Sequence, residues 1–179
     1  MNYTNAKRVL FLADRNNLAK QAKTEFSTFN RTENQEEMSS LYTIEILRKD
    51  TDIKADIVIS TIQKLFAVLT GKQLTNDDSE DAEDEMNTAK EETEDTQEIQ
   101  LGDNLFLPSD YFQLIIVDEC HRSIYGRWRS VLDYFSGAHV LGLTATPTPE
   151  AYAFFNYNKI EEYSYEDSVV DGVNVPSMI

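Results

Sequence analysis

The sequence predicts an α/β domain built on a mainly parallel sheet. Short apolar runs alternate with amphipathic stretches along the chain. The runs lack the in-out alternation of a half-exposed strand. Polar residues follow each of them: Asp14-Arg15, Ser60-Thr61, Asp118-Glu119 and Thr144 to Thr146. In an open parallel sheet the carboxyl ends of the strands share one edge, and ligands bind there.

Val9-Leu10-Phe11-Leu12-Ala13 is the first apolar run, read as a strand buried on both faces. Asp14 is placed to cap the helix that follows. In that helix Leu18, Ala22, Phe26 and Phe29 recur at spacings of four, four and three, which makes one apolar face. A short strand is expected over residues 43–47. Ile57-Val58-Ile59-Ser60 reads as another buried strand, and Ile62, Leu65, Phe66 and Leu69 form the stripe of the next helix. Leu114-Ile115-Ile116-Val117 is a further strand, ended by Asp118-Glu119. A helix over residues 125–135 and a strand over residues 140–143 complete the pattern. Trp128 lies among Tyr125, Arg127 and Arg129; core packing is favoured over a base-stacking platform.

Composition sets bounds on function. The chain has 179 residues, a hydrophobic fraction of 41% and a formal net charge of −16. One ordinary domain fits that length. The acid is uneven: residues 76–98 hold twelve carboxylates against one lysine, Lys90, so the remainder carries only −5. That remainder is compatible with a local nucleic-acid groove, although not with a basic coat. Residues 70–103 are read as a solvated acidic insertion. No apolar run approaches the roughly 20 residues that span a bilayer, and no secretory signal opens the chain. One cysteine, Cys120, excludes a disulfide scaffold and a cysteine-rich zinc cage. A soluble cytoplasmic protein is expected.

The strongest chemical signal is Asp118-Glu119-Cys120-His121 after the Leu114 strand. An Asp at such a strand end suits Mg²⁺, held through water, and the adjacent Glu suits activation of a water. The bland alternative is a strand closed by a capped turn. Gly142-Leu143-Thr144-Ala145-Thr146-Pro147 is the second signal. Its two hydroxyls suit a hinge bonded to His121; alternatively Thr146 caps a helix that Pro147 opens.

These stretches resemble the superfamily 2 helicases and translocases. Asp118 to His121 is similar to their motif II, and Thr144-Ala145-Thr146 to motif III. Asp14-Arg15-Asn16-Asn17-Leu18-Ala19-Lys20-Gln21 is similar to motif Ia, and Ile59-Ser60-Thr61-Ile62-Gln63-Lys64-Leu65 to motif Ib. All four follow the family's order. More narrowly, Glu119 to Ser123, Leu143 to Pro149, Phe154-Phe155 and Glu162 to Gly172 resemble the restriction subunit of type I restriction-modification enzymes.

The resemblance implies a RecA-like, three-layer domain of the P-loop NTPase type. It implies a partial first motor domain over residues 1–155 and a tail over 156–179 toward a second one. It implies ATP and Mg²⁺ as cofactors, and double-stranded DNA and the modification and specificity subunits as partners, with no membrane. Asp118 would hold Mg²⁺ through water and Glu119 would activate the attacking water. His121, Thr144 and Thr146 would couple hydrolysis to movement, and Arg15, Ser60 and Thr61 would face the DNA. The parent enzyme would translocate and cleave DNA at the expense of ATP. The sequence lacks the phosphate loop Gly-x-x-x-x-Gly-Lys-Ser/Thr; Gly71-Lys72 is a decoy followed by Gln73. The domain is thus read as truncated before that loop, and the fragment alone as inactive. Two other readings stand beside this one: a non-catalytic motor fold that binds a protein or nucleic acid, and another superfamily 2 DNA or RNA helicase.

Overall fold

The computed structural model describes residues 6–32, 35–48, 53–71, 101, 107–122 and 125–174. Two compact units divide the chain, residues 1–147 and 148–179. The second unit opens with a helix at Pro149 under the cap of Thr148.

Among the described residues the first unit holds five strands: β1 Val9–Ala13, β2 Ile44–Ile46, β3 Ile57–Thr61, β4 Leu114–Val117 and β5 His139–Gly142. All pairings are parallel, in the order β2-β3-β1-β4-β5. The parallel sheet requires crossovers, and helices supply most of them. These are α1 Asn16–Thr28, α2 Met38–Leu41, α3 Ile62–Thr70 and α4 Gly126–Tyr134. The short α2 has no counterpart among the sequence expectations. The five-strand parallel sheet with its helices is a RecA-like α/β fold, as expected.

Each face of the sheet has its own core. Val9, Ala13, Ile44, Ile57 and Ile59 pack with Ala19 on one face, and Leu18, Ala22 and Phe26 of α1 join them. The Phe11 and Phe26 rings meet edge to face, with centroids 5.3 Å apart. The intervening residues Leu10, Leu12, Val58, Ser60, Ile115 and Val117 point the other way and are fully buried. On that side α3 folds back from β3 and packs against α4. Trp128 of α4 is buried, in line with core packing and against a stacking platform.

Local chemistry moves several boundaries. α1 stops at Thr28, so Phe29 leaves the apolar face and is 58% exposed. Thr24, Ser27 and Thr28 bond back to the carbonyls four residues earlier, a competition that weakens a helix end. Arg15, rather than Asp14, occupies the N-cap of α1, and no side chain caps it. β5 begins at His139, one residue before the apolar run. Gly71 closes α3 in the left-handed conformation, at φ +66°, so the glycine of the decoy is a helix terminator. The acidic insertion lies outside the described residues except for Thr70, Gly71 and Leu101.

The second unit holds α5, Pro149–Phe154, and α6, Tyr165–Val170. Thr148 accepts a hydrogen bond from the Ala151 N–H at 3.2 Å, with proline opening the helix. The Thr-Pro cap therefore falls on Thr148-Pro149 and not on Thr146-Pro147. α6 carries a capping box between Ser164 and Asp167. Those bonds hold the Asp167 carboxyl below its ordinary range.

Candidate active site

The register places the four predicted polar clusters along one edge. Ala13 pairs with Thr61, Leu12 with Val117, and Val117 with Gly142. Because every strand runs the same way, Asp14, Asp118 and Leu143 all leave the sheet at its carboxyl edge. The Asp118 N–H still donates to Leu12 O at 2.9 Å, so the ladder carries the box to its starting residue. Asp118 Oδ1 then accepts the N–H of Glu119 at 3.0 Å.

Glu119 turns the chain. Its φ of +50° is left-handed, a conformation uncommon outside glycine. The turn delivers a short 3₁₀ helix over Cys120–Arg122. The Cys120 N–H donates to Leu143 O at 2.9 Å, and the Leu143 N–H donates to Val117 O at 2.9 Å. These two bonds stitch the turn after β4 to the segment after β5. The Cys120 side chain goes into the core. Its burial pushes the thiol above its ordinary value, and the carboxylates of Glu119 and Asp118 act in the same direction.

His121 is where the two predicted motifs meet. Its Nδ1 lies 2.9 Å from Thr144 Oγ1, 3.5 Å from Thr146 Oγ1 and 3.3 Å from Glu119 Oε2. The Thr144 hydroxyl also accepts the N–H of Thr146 at 3.1 Å, which fixes the loop between them. A nearby carboxylate favours the tautomer with the proton on Nδ1. Hydroxyls suit that nitrogen in either state, because each can donate or accept.

The expected DNA-facing residues divide. Arg15 is 41% exposed at the rim, with Nε 3.5 Å from Asp14 Oδ2. Ser60 and Thr61 are 0% and 4% exposed, so their hydroxyls do not face solvent. Ser60 Oγ donates to Thr61 O at 2.9 Å, and Thr61 Oγ1 accepts the Lys64 N–H at 3.4 Å as the cap of α3. Their side chains build the strand-to-helix turn at this edge.

Asp14 is the residue whose partner local reasoning misses. It is not a helix cap; its two oxygens accept from Arg122 Nη1 at 3.1 and 3.0 Å. The partners lie 108 residues apart, and only opposite charge at two strand-end clusters could have hinted at them.

Among the described residues no group of three or more His, Cys, Asp and Glu side chains could hold a metal. A lone Asp118 carboxylate fits Mg²⁺, whose hard oxygen shell is mostly water and phosphate. Asp118 Oδ2 has no hydrogen-bond partner among the described residues. The phosphate cradle is a different matter, since the sequence contains no loop of that type.

Residues 1–149 match the family described as "Type III restriction enzyme, res subunit". The chain belongs to this family. It is also similar to curated type I endonuclease subunits. It is 30% identical over 180 residues to the type I restriction enzyme EcoAI endonuclease subunit of Escherichia coli, which covers 96% of this chain and 17% of that protein. The SsaAORF53P subunit of Staphylococcus saprophyticus and the SauCOLORF180P subunit of Staphylococcus aureus are 28% and 27% identical. Each of these two matches covers 79% of this chain and 12% of the relative. The chain thus spans less than a fifth of the length of these relatives, and the helicase-like part of a restriction subunit is what it resembles. None of its described helices is long and apolar enough to cross a membrane.

Proposed function

We propose that this chain is a segment of the first motor domain of an ATP-dependent, DNA-translocating type I restriction subunit. The observation that carries the reading is the 2.9 Å contact between His121 Nδ1 and Thr144 Oγ1. It links a strand-end acidic box to a hydroxyl motif 23 residues later, which a mere capped turn does not require. In this reading Asp118 would hold Mg²⁺ through water, and the ion would supply positive charge opposite the phosphates when bound. Glu119 takes the proton of the attacking water. Its Oε2 lies against His121, so the base and the coupling histidine sense one another. Thr144 and Thr146 carry that state to the segment after β5. Arg15 contacts DNA phosphates without reading sequence, as a motor must, while Ser60 and Thr61 shape the turn behind that contact. Duplex DNA and the modification and specificity subunits are the proposed partners, in the cytoplasm.

The test is ATP turnover, with and without duplex DNA, in a full-length restriction subunit carrying this segment. E119Q is expected to lower turnover by about 10²-fold or more while nucleotide still binds, the usual scale for loss of a general base. T144V is expected to retain basal turnover and lose most of the DNA-stimulated part. Wild-type turnover in E119Q overturns the reading.

One observation favours a second reading: no phosphate loop occurs in these 179 residues. A non-catalytic module would bind duplex DNA or a protein with an affinity indifferent to D118N and E119Q. In the same series, unchanged binding together with absent turnover selects that reading.

A further inference from the structure

One cluster of charges joins the two halves of the carboxyl edge. Asp14 follows β1, and its side chain is only 15% exposed. Arg122 Nη1 donates to both of its oxygens, and Arg15 Nε lies 3.5 Å from Oδ2. A single carboxylate therefore sits between two guanidiniums, one on the turn that follows the acidic box and one at the start of α1. Exposed ion pairs contribute little, but this acceptor is largely shielded and its bonds are charge-assisted. Contact with both oxygens fixes the rotation of the carboxylate, and Oδ2 stays directed at Arg15. The cluster as a whole is +1, at an edge where Asp118 and Glu119 would otherwise repel a polyanion.

We propose that Asp14 is a positioning residue for DNA binding: clamped by Arg122, it holds the Arg15 guanidinium at the rim beside the Asp118–His121 turn. This inference rests on the reading of Arg15 as a phosphate contact. An arginine at a helix start samples many rotamers, and one already ordered loses less freedom when DNA arrives. The clamp also makes the box turn and the phosphate contact mechanically adjacent, so a shift of Arg122 with the turn is transmitted to Arg15.

The sign of one substitution separates positioning from simple electrostatics. Removing a negative charge beside a DNA track tightens binding if charge alone matters; it weakens binding if the carboxylate holds the contact. Binding of the full chain to a fluorescent random-sequence duplex is measured across a salt series, with folding checked by circular dichroism. R15Q is expected to weaken binding and to lower the slope of log affinity against log salt by about 0.9, one phosphate contact. D14N is expected to weaken binding with the same change in slope, and D14N/R15Q to bind no more weakly than R15Q. If R15Q binds like the unaltered chain, the reading of Arg15 fails and the proposal with it. If R15Q weakens while D14N binds as tightly as the unaltered chain or tighter, the positioning role alone fails. No binding at low salt by the unaltered chain overturns both. If D14N does not fold, D14E replaces it, with the same charge and a displaced carboxylate: weaker binding supports the proposal and unchanged binding overturns it.

Discussion

His121 Nδ1 faces three oxygens, yet a ring nitrogen carries at most one proton. The shortest of the three contacts, to Thr144, is the one whose loss should be measurable. T144V is expected to cost about 1 kcal/mol, the net value of an ordinary hydrogen bond, in urea unfolding of the chain; T146V, at 3.5 Å, should cost less. Cys120 predicts a pH dependence. Its folded thiol is raised above the ordinary value by burial, so the folded state prefers the neutral form. In the unfolded chain the thiol ionises near its usual value, about 8.5. This contribution is therefore whole below that pH and is lost as the pH rises through the higher folded value. C120A should flatten the alkaline decline of the urea midpoint between neutral and strongly alkaline pH relative to the unaltered chain; an unchanged decline contradicts the assignment. At this scale the sequence was legible wherever a motif is contiguous. Asp118, Glu119 and His121 stand together, and Thr144 and Thr146 sit at the next strand end. Asp14 was misread as a cap because capping is a local habit, whereas its partner is 108 residues away. The burial of Ser60 and Thr61 was not legible, because small hydroxyls look alike on a surface and at a buried helix start.

The strands were the most legible elements, because a strand buried on both faces leaves an uninterrupted apolar run. Their ends were less so. Apolarity continues to Leu143, which is 44% exposed, whereas the paired strand ends at Gly142. Hydrophobicity marks burial, and pairing marks the strand; the two part company at the last residue. The same distinction shortens α1, where back-bonding hydroxyls end the helix before Phe29. Two substitutions test these elements by urea unfolding. L12A removes a side chain from the centre of the sheet and should cost about 2–5 kcal/mol. T61A should cost about 1 kcal/mol as a lost cap, whereas T61S should retain most of it. Equal losses in T61S and T61A would show that the methyl group, and not the cap, is what matters there.

For the whole molecule, the distribution of charge and the motifs present decide what can be measured. The net charge of −16 is concentrated in residues 76–98, and the remainder carries −5. Deleting that segment should tighten low-salt binding to duplex DNA and leave the urea midpoint of the sheet unchanged. The chain by itself should turn over ATP at well below about 1 s⁻¹, the low end of ordinary enzyme rates, because its sequence supplies no phosphate loop. A faster, DNA-stimulated rate that disappears in E119Q would contradict this.

The order β2-β3-β1-β4-β5 has a consequence for how the chain is made. The earliest strand of this sequence sits in the middle of the sheet. On the ribosome it gains β3 on one flank, then waits some fifty residues for Leu114–Val117 to emerge on the other. At about 5–20 residues per second that is a wait of roughly 3–10 s. Throughout it, this wholly apolar ribbon offers a bare row of amides and carbonyls to any neighbouring nascent chain. Ribosome-bound chains stalled before Leu114 should therefore cling to one another or to chaperones, and those stalled beyond the emergence of Val117 should not.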